Sequence, residues 1–226
     1  MPELKKKIRI ANKILQALTL LRKQRFEQSH HKLTKLINSF RDMQRHADRL
    51  GLALSNDWLY AARRNCRQIE NRFCDLKYAI TASQDLLVWP DFKIASLRDI
   101  VAELDQIDAD LGGYKYNPAK NTITVTTEPI TLEDIYLGQF DIELWLDKLQ
   151  DPDGQPSFYV VALDPHPAVT DEGVTHPHVS CDQLCTGEAT AAITKALQQA
   201  RLCDFFHMVE NILNIYNPDS PYVALN

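Results

Sequence analysis

Nowhere in this chain of 226 residues do apolar side chains run uninterrupted for more than a few positions, far short of the ~20 that a helical membrane span requires. The N-terminus, MPELKKKIRIANKI, is basic but lacks both an apolar core segment and a small-residue cleavage site. It does not read as a secretory signal, so a cytoplasmic protein is expected. The five cysteines (Cys66, Cys74, Cys181, Cys185, Cys203) are odd in number and form no CxxC pair, which argues against a disulfide framework and leaves room for a working thiol. Gly and Pro are absent between Pro2 and Gly51, so neither punctuates that stretch. Wholesale disorder is not expected either, because 45% of the residues are apolar and can bury one sizeable core or two modest ones.

Charge divides the chain. Residues 1–80 carry 18 Lys and Arg against 7 Asp and Glu, whereas 81–226 carry 7 against 23. An imbalance of +11 followed by one of −16 points to two units.

The first unit has helical periodicity: Leu4, Ile8, Ala11, Leu15 and Leu18, then Leu33, Leu36, Ile37, Phe40, Met43, Ala47 and Leu50. A long amphipathic helix is expected, with a break near Ser29-His30-His31 and a stop at Gly51. Ser55-Asn56-Asp57 supplies N-caps for a second helix, and a basic helical hairpin over 1–90 ends at Trp89-Pro90. Ser96 opens a shorter helix with Leu97, Ile100, Val101, Leu104 and Ile107 on its apolar face, closed by Leu111-Gly112-Gly113. From Tyr114 the period becomes two. Asn121–Thr127 alternates as a half-buried strand, Phe140–Leu146 alternates apolar with acidic residues, and Phe158–Leu163 is apolar throughout and so expected to lie centrally. The turn cluster Asp151-Pro-Asp-Gly154 joins the last two as an antiparallel hairpin. Helices return over 189–200 and 202–215, stopped by Asn217-Pro218. The expected fold class for 91–226 is α+β, an antiparallel meander with flanking helices.

Reactive side chains concentrate in one loop, Thr175-His-Pro-His-Val-Ser-Cys-Asp-Gln-Leu-Cys185. Three readings are open. It is a surface loop with inert cysteines. It is a zinc site made by His176, His178, Cys181 and Cys185, although the ligand spacing departs from common zinc motifs. Or it holds a nucleophilic cysteine near a histidine-bearing turn.

The third reading carries a resemblance. His176-Pro177-His178 followed by Cys185 is similar to the active-site segment of ubiquitin-conjugating (E2) enzymes, where His-Pro-Asn precedes the catalytic cysteine. Leu137–Leu144 resembles the family's strand with a Gly-x-Phe start, and Tyr216-Asn-Pro-Asp-Ser-Pro-Tyr222 resembles its Asn-Pro-Asp-Asp-Pro turn. The resemblance covers about residues 96–226. The family's Tyr-Pro-Phe-x-Pro-Pro run and a Trp downstream of Cys185 are missing, and His178 replaces Asn, as in divergent bacterial E2-like proteins.

The resemblance implies an E2 (UBC) or RWD-like fold and a transferase without cofactor, in which Cys185 carries a ubiquitin-like protein as a thioester. It further implies that His178 stabilises the oxyanion, that Asp219 orients the acceptor amine, and that His176, Pro177 and Ser220 shape the loop. The implied partners are a ubiquitin-like protein, an E1-like activating enzyme and a RING-type ligase, with bacterial antiviral defence as the setting. Some of these bacterial relatives carry a Cys-rich, RING-like module after the segment equivalent to Tyr222, of which residues 1–226 contain none, and no metal ligand belongs to the implied site. The alternatives are a catalytically inactive scaffold of the same fold and a zinc-bound adaptor. A cysteine hydrolase ranks last, because no Asn or Asp can be named that orients a His toward the thiol. The basic hairpin reads as a solvated helical pair, a docking arm for an acidic partner or a homo-oligomerisation arm. Nucleic acid is not expected, since no recognition motif accompanies the charge.

Overall fold

The computed structural model describes residues 2–81, 95–150, 156–218 and 221–225. The expected boundary at Trp89-Pro90, the turn at 151–154, and Asp219 and Ser220 lie outside them. Among the described residues, no helix is long and apolar enough to cross a membrane.

The chain is α+β and divides into two compact units, one comprising residues through Leu21 together with 92–226, the other Arg22–Asp91. Helix α1 (Pro2–Ser55) runs without interruption past Ser29-His30-His31 and past Gly51. The expected break and stop are therefore corrected. A single helical Gly costs only about 1 kcal/mol, too little to end a helix whose neighbours all favour it. What does end α1 is the polar triplet. Ser55 Oγ and Asn56 Nδ2 both donate to the Leu52 carbonyl, at 2.9 and 2.8 Å, and the Trp58 amide donates to Ala53 at 2.8 Å. These residues satisfy the last carbonyls of α1 instead of capping helix α2 (Leu59–Thr81).

Within the Arg22–Asp91 unit, α2 folds back so that His46 Nδ1 meets Asn65 Oδ1 at 3.1 Å, and Ala53, Ala62 and Leu76 are buried. Phe26, Phe40, Trp58, Phe73 and Tyr78 are exposed. Its ion pairs, Arg45–Asp42 and Arg72–Asp75 among them, are local and exposed and stabilise it little.

The first turns of α1, expected in the hairpin, pack instead into the other unit. Ile10, Ala11, Ile14 and Leu18 are buried in the same cluster as Ile100, Ile107 and Phe206. Full burial of each large aliphatic side chain contributes up to ~1.5–3 kcal/mol. Lys7 fixes the register, its ammonium bridging Asp105 and Asp108 at 2.5 Å each. Burial pulls its pKa down, but hydrogen bonds and charge from the two carboxylates more than reverse this, leaving it above its ordinary value. Both acids lie on α3 (Leu97–Asp110). This helix opens on a capping box in which Ser96 Oγ accepts from the Asp99 amide and Asp99 accepts from the Ser96 amide. It closes at Gly112 and Gly113, whose φ of +71° and +107° suits glycine best.

The main sheet has four antiparallel strands in the order β1 (Lys115–Asn117), β2 (Thr122–Thr126), β5 (Phe140–Trp145), β6 (Phe158–Ala162). A separate ladder pairs β3 (Ile130–Leu132) with β4 (Ile135–Gly138). The β5–β6 pairing is antiparallel, with Phe140 opposite Ala162 and Leu144 opposite Phe158. Two expectations change. Strand β2 is buried on both faces from Thr122 to Val125 rather than half-buried. Strand β6 is at the edge of its sheet rather than central, and only Val160 is fully buried. Its apolar run serves edge contacts: Phe158 meets Phe205 at 5.1 Å between ring centroids, and Tyr159 meets Trp145 at 6.0 Å with Lys148 above both rings. After the 174–184 segment come α4 (Thr190–Gln198) and α5 (Leu202–Leu213), whose apolar faces complete the core.

Candidate functional site

The reactive loop is not irregular throughout. It forms a three-stranded antiparallel ribbon, β7 (Val174–His176), β8 (Val179–Ser180) and β9 (Gln183–Leu184). Ser180 pairs with Gln183 across a two-residue turn in which Cys181 and Asp182 both have positive φ, +50° and +61°. That is the condition of a type I′ hairpin turn. The turn is anchored twice: the Cys181 amide donates to Gly173 at 2.7 Å, and Asp182 accepts from the Val160 amide of β6 at 2.9 Å. Gly173 permits the approach, since a Cβ there would meet Cys181 Sγ at 3.0 Å.

The His-Pro-His segment is held from three directions. His176 is 0% exposed. Its Nδ1 accepts from the His178 amide at 3.0 Å, which leaves Nε2–H to donate to the Leu213 carbonyl at 2.9 Å. That carbonyl, in the last turn of α5, has no helical partner. The imidazole is therefore neutral and doubly bonded, and it stands perpendicular to the Phe140 ring at 5.7 Å between centroids. Burial lowers its pKa to about 4, helped by His178 and opposed by the bond to Leu213.

His178 is 6% exposed, and burial lowers its pKa as well. Its Nε2 accepts from the Asn217 amide at 3.2 Å, so the proton of the neutral ring is on Nδ1. The Pro177 carbonyl accepts from the Tyr222 amide at 2.8 Å. On the other side, the His178 carbonyl accepts from the Cys185 amide at 2.8 Å, extending the β8–β9 ladder by one rung.

The His-Pro-His turn thus joins Cys185, in the same loop, to the sequence-distant backbone at Asn217 and Tyr222. Cys185 is partly exposed, whereas Cys181, Cys66 and Cys74 are exposed and Cys203 is buried. A partly exposed thiol on a backbone anchored by the rung to His178 can be reached by a reaction partner. The zinc alternative is disfavoured by bonding, because both nitrogens of His176 and Nε2 of His178 are already engaged. Among the described residues, no three of His176, His178, Cys181 and Cys185 bring ligand atoms within 4.8 Å of one another. Beside His176 and Pro177 lies an open cleft of about 380 Å³, bordered by residues 166–170 and 223–225. Sequence reasoning missed the part played by Leu213, since a main-chain carbonyl leaves no signature of residue type.

No protein-family model, curated protein or solved structure matches the chain.

Proposed function

We propose that the chain is an E2-like carrier that accepts a ubiquitin-like protein on Cys185 and passes it to an acceptor. The observation supporting this most is the meeting of Cys185, His176-Pro177-His178 and the backbone amides of Asn217 and Tyr222 through the Cys185–His178, Asn217–His178 and Tyr222–Pro177 hydrogen bonds. They are the motifs on which the resemblance to ubiquitin-conjugating enzymes rests. The order helix, meander, reactive segment, helices agrees with that reading.

In the proposed reaction, Cys185 Sγ attacks the thioester carbonyl linking the modifier's C-terminus to an E1-like enzyme. A new sulfur–acyl bond forms, the E1 thiolate departs, and it takes up the proton that Cys185 loses. An acceptor amine then attacks the acyl group, and Cys185 leaves as a thiolate that regains a proton from the amine. No oxidant or reductant is consumed. His178 acts in both steps, bracing the turn through Nε2 and offering its Nδ1–H to the tetrahedral oxyanion. His176 and Pro177 position His178, Asp219 orients the amine, and Ser220 takes the sequence position of the family's second Asp. The basic hairpin serves as a docking arm for an acidic partner such as the activating enzyme, or for a second copy of the chain, and a RING-type ligase assists discharge. A cytoplasmic location and a role in bacterial defence accompany this reading.

The test is reconstitution with an E1-like enzyme, a ubiquitin-like protein and ATP. The wild-type chain should form an adduct cleaved by dithiothreitol, Cys185→Ser an adduct that resists thiol but yields to hydroxide, and Cys185→Ala none. A reducible adduct on Cys185→Ala sinks the assignment.

A further inference from the structure

At the start of α5, three side chains of different chemistry converge without a role in the carrier reading. Cys203 and His207 are four residues apart on α5, hence on one face, and Asp110 is the last residue of α3. Cys203 Sγ lies 3.9 Å from Asp110 Oδ2. One ligand atom from each of the three falls within 4.8 Å of the others.

We propose that Asp110, Cys203 and His207 bind a zinc ion that joins the end of α3 to the first turns of α5. Thiolate, imidazole and carboxylate are the ligand types zinc takes, whereas magnesium and calcium demand oxygen alone. Around a tetrahedral zinc such atoms stand about 3.3–3.8 Å apart, so the present spacing needs a contraction of only about 1 Å. Water completes the set. No metal ligand is legible here from residue spacing, because the Cys-x₃-His pair acquires its third member only when α3 packs on α5.

The surroundings favour a cation. Glu103 from α3 caps α5, accepting from the Cys203 amide at 3.0 Å, and Asp204 is the next residue. Carboxylates of Asp110 and Glu103 thus stand at the Cys203 thiol and amide, and a divalent ion offsets their charge while the thiol binds it as thiolate. Glu210 Oε2, 3.9 Å from His207 Nδ1, is placed to orient the imidazole. On binding, the Cys203 S–H bond breaks, its proton passes to solvent and a sulfur–zinc bond forms, with no change of oxidation state.

The test uses the full chain, stripped with chelator and titrated with Co²⁺ and then Zn²⁺. Expected are a thiolate-to-cobalt charge-transfer band in the near ultraviolet saturating at one ion per chain, bleaching by zinc, and proton release on binding. The quadruple variant Cys66→Ser, Cys74→Ser, Cys181→Ser, Cys185→Ser should keep the band, and Cys203→Ser should lose it. His207→Ala and Asp110→Asn, at less buried positions, should each weaken binding at least about tenfold, as loss of a direct ligand must exceed the loss of an outer-shell partner. No thiolate band in the wild type, a band that survives Cys203→Ser, or unchanged affinity in both His207→Ala and Asp110→Asn overturns the proposal. The outcome is independent of the carrier reading, since Cys185 is absent from the variant that should still bind.

Discussion

Protonating His176 should unfasten the reactive segment from α5, and the energetic consequence can be worked from its surroundings. In the folded chain the ring is neutral, fully buried, and bonded to the Leu213 carbonyl and the His178 amide. Its pKa is held at about 4 against an ordinary value of 6.5. Between those two pH values the unfolded chain binds a proton that the folded chain refuses. This contribution to stability is therefore complete above the unfolded value and is lost as pH falls toward 4. At ~1.4 kcal/mol per pH unit, the loss across the window is roughly 3 kcal/mol. His178, whose pKa burial also lowers, adds in the same direction, so the two must be separated by substitution.

His176→Gln cannot titrate, yet its amide can both donate and accept. At pH 7 it should be about 2 kcal/mol less stable than wild type, from poorer hydrogen-bond geometry and lost packing on Phe140. The difference should shrink or reverse near pH 4. Urea unfolding of both proteins at half-unit pH steps reads this directly. A difference that stays constant from pH 7 to pH 4 would refute the assignment of a buried, neutral His176.

Two further outcomes follow from the packing around the site. Lys7→Met leaves Asp105 and Asp108 facing each other without the ammonium they share; because both carboxylates retain contact with water, the cost should be about 1–2 kcal/mol, seen as a lower urea midpoint that high salt partly restores. Cys181→Asn places a residue tolerant of the left-handed region at φ +50°. It should raise stability by about 0.5–1 kcal/mol and leave adduct formation intact, whereas loss of the adduct would move the nucleophile from Cys185 to Cys181.

Legibility in the sequence followed the reach of each interaction. Helix α3 was readable to its cap, because Ser96 and Asp99 satisfy each other's backbone within one turn. The β5–β6 pairing was readable from two apolar runs and the turn cluster between them. The course of α1 was not: its apolar stripe looks the same where Ile10 and Ile14 enter the mixed core as where Leu36 belongs to the helical unit. Edge position in β6 was hidden because aromatic contacts made the strand as apolar as a central one. The ribbon of residues 174–184 was invisible, since strands of two or three residues carry no period. For the candidate site, residue types pointed to His176, His178 and Cys185. The bonds joining them to Leu213, Asn217 and Tyr222 are made largely by main-chain atoms, which any side chain could accompany.

The most direct measurement of the central claim is mass spectrometry of the trapped, thiol-sensitive adduct after incubation with an E1-like enzyme, a ubiquitin-like protein and ATP. The modifier's C-terminal acyl group is expected on Cys185, with no adduct on Cys185→Ala. An acyl group mapped to Cys181, Cys66 or Cys74, or wild-type protein left unmodified while the E1-like enzyme is charged, would contradict it.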